Sequence, residues 1–376
     1  MAQQSYKHHY VPEWYQKRFL AAGQTTLKIL NLNPPRFHRP DGYFANGRQI
    51  LDKGPSAFFF EKDLYTTRLF GKPNDDIERM LFGAIDRKGK RAIDAYLNQD
   101  WNTIHHTYVQ MYEFMDALRL RTPKGLTFIK LVAGAKNQIE LMYWMQRMRR
   151  MHCVMWGEGV LEILSAEDSS TKFIFSDHPV TLYNSHVFPG DPGIPASMDP
   201  LFDWMGTQTL FPFDQNHLFV ITHLEWARSP GSNKARKKRT NARYFDNPIL
   251  RYDSCIRNRK LSEVQVRRMN YILKARAHQY IAGRTEDDLF PERHLTSTLW
   301  SKLGQCLMPP KNELHHFGGE MTFVTKDGGY HFQDEYGRRP KTKEEYDKHV
   351  EEAKKMQKTL KMALSKHHET QKNKKL

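Results

Sequence analysis

Cysteine is scarce: Cys153, Cys255 and Cys306 are the only three in 376 residues. Their wide separation excludes a disulfide framework and a zinc site built on paired cysteines, so any metal must take histidine and carboxylate ligands. Long apolar runs are missing as well. No stretch approaches the roughly 20 residues that a helical membrane span requires, and the polar start of the chain lacks the apolar segment of a secretion signal. The expectation is a cytoplasmic protein that does not enter a membrane. Acidic residues are outnumbered, with 42 Asp and Glu against 58 Lys and Arg, which gives a net charge of +16 and a pI near 9.6. A polyanion, nucleic acid first among them, is therefore the expected partner. Hydrophobic residues make up 39% of the chain and aromatics 12%, enough for one large core or several smaller ones.

The densest run of proton-handling groups is Lys7-His8-His9-Tyr10-Val11-Pro12, directly before Glu13-Trp14-Tyr15-Gln16-Lys17-Arg18-Phe19. Pro12 suits a first helical position, and Trp14, Tyr15 and Phe19 can share a buried face. Such a helix start attracts anions and favours a neutral imidazole, so His8 and His9 are candidates for a general base or a metal ligand. Structural histidines are the alternative. Glu61 and Asp63 lie two apart in an aromatic stretch, so on a strand they would face one side as carboxylate ligands or as a solvated pair.

Further along, residues 26–32 alternate as a strand, and apolar spacing predicts helices from Asp76 to about Leu97 and from Trp101 to Arg121. Arg121, ahead of Thr122-Pro123, either complements the helix dipole or clamps phosphate. A third long helix is predicted over 126–156. Val160–Leu164 and Lys172–Phe175 read as a hairpin delivering Ser176-Asp177-His178-Pro179, which makes Asp177 a candidate ligand at a strand end or an acceptor for local N–H groups. Leu210–Phe213 and His217–Thr222 extend the sheet. Lys234, Arg236, Lys237, Lys238 and Arg239 form a basic run suited to a phosphate backbone or to a solvated loop. A capping box, Ser262 with Gln265, opens a helix predicted to reach Ala282. Met321–Thr325 and Tyr330–Gln333 read as a hairpin, and Thr342 with Glu345 caps a lysine-rich helix with a narrow apolar stripe that could pair with another helix.

The order of Lys-His-His-Tyr-Val-Pro, Asp63-Leu64-Tyr65, Arg121-Thr122-Pro123, Phe175-Ser176-Asp177-His178-Pro179-Val180 and Phe211-Pro212 resembles the bacterial family called domain of unknown function 4238, over about residues 5 to 283. No reaction comes with that resemblance. It implies that His8, His9, Arg121 and Asp177 are the positions to suspect and that the chain after Arg284 is an addition. His8 to Pro12 also has the form of the His-His-hydrophobic-x-Pro run of His-Asn-His nucleases, without the surrounding strand and ligand-bearing helix that such a site needs.

These readings predict an α+β fold with a helical layer on a mainly antiparallel sheet. The expected organisation is a core over 1–285, an irregular region over 286–340 and a C-terminal helix over 341–376. The expected function is a nucleic-acid-acting phosphodiesterase. In it His8 or His9 serves as base, Arg121 as phosphate clamp, and a divalent metal sits on His9, Glu61, Asp63 and Asp177. A metal-free version would use the two histidines as acid and base on RNA. The alternative is a non-catalytic nucleic-acid-binding or assembly protein that self-associates through its last helix.

Overall fold

The computed structural model describes residues 7–38, 42–62, 64, 67–69, 72–74, 82–195, 198–239, 255–312, 320–334 and 339–373. The chain divides into two compact units, one of Met1–Arg239 with Asn247–Phe317 and one of Thr240–Asp246 with Gly318–Leu376. The class is α+β.

In the first unit the expected single sheet is two. One runs Phe175–Ser176, Tyr280–Gly283, Leu27–Asn31 and Ile50–Lys53, antiparallel throughout. The other runs Thr181–Tyr183, Gln208–Pro212, His217–Thr222, Val160–Ser165 and Ile256–Lys260, antiparallel except for its last pair. The hairpin expected between residues 160–164 and 172–175 is not made. Val160–Ser165 is a fully buried central strand whose partners are supplied from far along the chain, and Glu167 to Ser170 links the two sheets.

Helices Gly83–Asn98, Trp101–Leu120, Pro123–Ala133 and Gln138–Gly157 form the helical layer. Gly89 is required where the first two pack, because a Cβ there would lie 2.2 Å from the Phe114 ring. The third predicted helix is two. Gly134, at φ 65°, ends the first in the left-handed conformation that glycine adopts without strain, and Asn137 caps the second by accepting from the Glu140 N–H at 3.0 Å.

Two buried clusters hold this unit together. The first joins the helical layer to both sheets through aromatic rings: Phe19 and Phe175 have centroids 4.5 Å apart, and Tyr15 stacks on Phe211 at 5.6 Å while its hydroxyl donates to the Pro212 carbonyl at 2.6 Å. Each such ring contributes on the order of 2–3 kcal/mol by burial. The second cluster lies under the helix Glu263–Arg276, where Val266, Met269, Ile272 and Leu273 meet Leu164, Leu218 and Val220. That helix opens with the predicted capping box but stops at Arg276, and Tyr280–Gly283 becomes a strand. Residues 287–307, expected to be irregular, form short turns whose Leu289, Trp300, Leu303 and Leu307 join the second cluster.

In the second unit the predicted hairpin forms, Glu320–Val324 with Tyr330–Asp334, and the helix Lys343–Asn373 begins after Thr342, whose hydroxyl accepts from the Glu345 N–H at 3.1 Å. Phe332 packs against Tyr346 and His349 at 5.5 and 5.3 Å. The Tyr346 hydroxyl donates to the Tyr330 carbonyl at 2.9 Å. The helix thus rests on its own hairpin at one end. Among the described residues no helix is long and apolar enough to cross a membrane.

Candidate active site

The histidines of the N-terminal motif lie on a short strand, Lys7–His9, and the expected helix start follows as one short helix, Glu13–Gln16, with Pro12 as its N-cap. Lys7–His9 pairs antiparallel with Phe60–Lys62, setting buried His8 opposite Glu61 and His9 opposite Phe60. His9 Nε2 lies 3.7 Å from the Glu13 carboxylate. Tyr10 follows, and its phenol is pushed far up by burial and by the negative charges of Asp177 and Glu61. Arg121 is fully buried beneath it. Its Nε donates to the Tyr10 carbonyl at 3.1 Å, Nη1 meets Asp86 at 2.9 Å, and the guanidinium covers the Phe82 ring.

Asp177 is an acceptor of backbone N–H groups, but its donors are distant in the chain and not the local ones foreseen. Its carboxylate accepts the backbone N–H groups of His278, Gln279 and Tyr280 at 2.9, 2.7 and 2.9 Å. Burial raises its pKa, and those three donors oppose the rise. Both Arg121 and Asp177 are therefore committed to the interior. Asp63 lies outside the described residues, and among the described residues no three His, Cys, Asp or Glu side chains gather as metal ligands.

The basic run 234–239 is partly consumed by structure. Arg239 is buried, donating to the Met155 carbonyl at 2.9 Å and meeting Glu158 at 3.3 Å, and Arg236 pairs with Asp191. Lys234 donates to the Ser229 hydroxyl at 2.8 Å. Lys237 and Lys238 remain on the surface.

A polar cleft of about 220 Å³ lies elsewhere, between the end of the helix Gly83–Asn98 and the edge of the five-stranded sheet. Three neighbouring strands bring His217, Ser165 and Lys260 into register, His217 and Lys260 each opposite Ser165. The turn before His217 shapes its ring: Asp214 accepts the Asn216 and His217 N–H groups at 2.7 and 2.8 Å and holds His217 Nδ1 at 2.9 Å. Nε2 is then directed outward, 3.7 Å from Glu167. Burial acts to lower the pKa of His217, but the Asp214 hydrogen bond and charge, with Glu167, outweigh it and raise the value overall. The imidazolium is favoured.

Arg257 completes the cleft because the edge strand is irregular. Asn258 sits at φ 62°, and the register shifts between Ile256 and Arg259, so Arg257 lines the cleft beside Lys260 while Arg259 turns to the buried Glu162. Arg257 lies 4.8 Å over the Trp101 ring, and among the described residues its Nε and Nη2 have no hydrogen-bond acceptor. Sequence reasoning missed this cleft. The available signal was Asp214-Gln215-Asn216-His217, a turn motif that orients an imidazole, directly before a strand.

A second polar chain is wholly buried. Thr122 Oγ1 meets His178 Nδ1 at 2.7 Å, His178 Nε2 meets Asp199 at 3.2 Å, and Lys124 closes on Asp199. Burial pushes His178 down to about 4, against the pull of Asp199. Burial would raise Asp199, but Lys124, His178 and Arg276 hold it far below the usual carboxylate range.

The turn at Asp214, the strand that carries His217, and the Asp177 anchor all fall within one stretch of chain. Residues 160–287 match the DUF4238 family model, a protein of unknown function. No curated protein and no solved structure matches the chain. The DUF4238 span carries Glu167, Asp177, His178, Asp199, His217, Arg257 and Lys260, and it excludes the His8-His9 ribbon and Arg121. It is shorter than the 5 to 283 expected, and it includes seven of the ten residues lining the His217 cleft.

Proposed function

We propose that this chain is a nucleic-acid-acting phosphodiesterase whose reacting site is the His217 cleft. The carrying observation is an imidazole held by Asp214 in a cleft of about 220 Å³ that Arg257 and Lys260 also line. Cations beside an oriented imidazole are matched to phosphate oxygens. RNA is the substrate this arrangement fits, because its 2′-hydroxyl supplies the nucleophile. Glu167 takes the O2′ proton as O2′ bonds to phosphorus. Protonated His217 gives its Nε2 proton to O5′ as the P–O5′ bond breaks, and Arg257 and Lys260 hold the phosphate oxygens. The buried Arg121 and Asp177 then serve the frame of the protein and not the chemistry.

The test is cleavage of single-stranded RNA with and without EDTA. Wild type should cleave in EDTA, and His217→Ala and Glu167→Gln should each lose on the order of 10²–10⁴-fold in rate with binding retained. Equal rates in both variants and wild type would sink the assignment. A second reading, a binding or assembly module, is favoured by the exposed Lys237 and Lys238 and by the exposed Met356 and Met362 of the last helix. It predicts salt-sensitive retention of nucleic acid without product.

A further inference from the structure

Between the paired strands Leu27–Asn31 and Ile50–Lys53 the chain folds into a two-stranded ribbon, Arg36–His38 antiparallel with Phe44–Asn46. Opposed residues of such a pair face one side, so Arg36, His38, Phe44 and Asn46 share one face, and Phe37 and Ala45 the other. The ribbon covers its aromatic rings poorly: Phe37 is 56%, Tyr43 73% and Phe44 72% exposed. His38 meets the Phe44 ring at right angles with centroids 5.1 Å apart, and Phe37 lies against Gly47, where a Cβ would come within 3.1 Å of its ring. Three large rings in the open on one small ribbon mark an interaction surface.

The chemistry of the ribbon selects the partner. From Asn33 to Gln49 the sequence holds Phe37, Tyr43 and Phe44 but no Val, Leu, Ile or Met, so its large apolar side chains are all flat rings. Surfaces that enter a protein groove or a lipid layer carry aliphatic side chains as well. Rings beside guanidinium groups match unpaired bases and the phosphates that link them. Charge agrees: the same stretch has Arg36, Arg39 and Arg48 against Asp41 alone, and Arg36 and Arg48 are exposed. Asp52, in the strand that follows, is paired with Lys28 at 2.7 Å.

We infer that this ribbon binds single-stranded nucleic acid, with one base stacked on Phe44 and the flanking phosphates on Arg36 and Arg48. The ribbon lies outside the 160–287 span of the family model, and the site stands whether or not the His217 cleft cleaves RNA. The test is fluorescence anisotropy of the full chain with a labelled 2′-O-methyl RNA oligonucleotide, which lacks the 2′ nucleophile and so reports binding alone. Phe44→Ala should weaken binding about 10-fold, and Phe44→Trp should bind like wild type, because stacking needs only an aromatic face. A second measurement needs no variant to fold. Wild type should bind an abasic oligonucleotide with the same number of phosphates on the order of 10-fold more weakly, and Phe44→Ala should lose that preference. Equal binding of the two probes by wild type overturns the proposal, as does unchanged affinity in Phe44→Ala. Wild-type retention on phosphatidylserine vesicles that Phe44→Ala loses, with its affinity for the oligonucleotide unchanged, would overturn it in favour of a membrane surface.

Discussion

At the scale of single residues, His178 illustrates how burial sets a pH dependence. Its folded value is pushed down to about 4 from 6.5. Between those two values the unfolded chain binds a proton that the folded chain refuses. Stability is therefore fully present above about pH 6.5 and is lost as pH falls towards 4, by something on the order of 3 kcal/mol. Urea titrations from pH 7 to pH 4 should show this loss in wild type and a smaller one in His178→Gln, and identical slopes would overturn the account. The sequence displayed Asp177-His178 as a pair at a strand end, and that position is correct. What each side chain does there was not readable, because the acceptors and donors come from 20 to 100 residues away: Asp199 for His178, and the 278–280 backbone for Asp177. Arg121 is the same case. Its neighbours Tyr10 and Asp86 belong to other elements, and only tertiary packing shows that the guanidinium is spent on them.

Elements were readable where the signal is local and misread where it is not. The capping box at Ser262 and Gln265, the Thr342 cap and the hairpin over 320–334 depend on residues within a few positions, and all three form. The break at Gly134 and Asn137 was also local and was overlooked under a continuing apolar stripe. The end of the Ser262 helix was not local at all. Tyr280–Gly283 is a strand because it lies between Phe175–Ser176 and Leu27–Asn31, with Asp177 gathering the three N–H groups that lead into it. Asp177→Ala would leave those donors without an acceptor, at about 1–3 kcal/mol each when buried. The expected result is a stability loss of several kcal/mol in denaturant unfolding, with Asp177→Asn losing less because one carbonyl oxygen remains. A loss below about 1 kcal/mol for the alanine variant would mean that Asp177 does not anchor this strand.

For the whole molecule, the division into two units predicts how it responds to being cut. Phe332 is buried at 3% exposure in the second unit, in contact with Tyr346 and His349 of the last helix. Removing that helix alone, by truncation after Arg339, therefore strips the cover from an aromatic side chain on a two-stranded hairpin, and an isolated hairpin is at best marginally stable in water. Truncation after Phe317 removes hairpin and helix together. Both cuts spare the two buried clusters, which draw their members from the first unit, between Tyr10 and Leu307. The unfolding midpoint of the main transition should shift by less than about 3 °C in either case, since roughly 1 kcal/mol corresponds to a few degrees in a chain of this size. The two truncations should differ in association: the cut after Arg339 should self-associate in sedimentation because Phe332 is uncovered, and the cut after Phe317 should not. Loss of the main transition in both would mean that the second unit is part of the folding core, and equal association in both would mean that Phe332 is not what the helix protects.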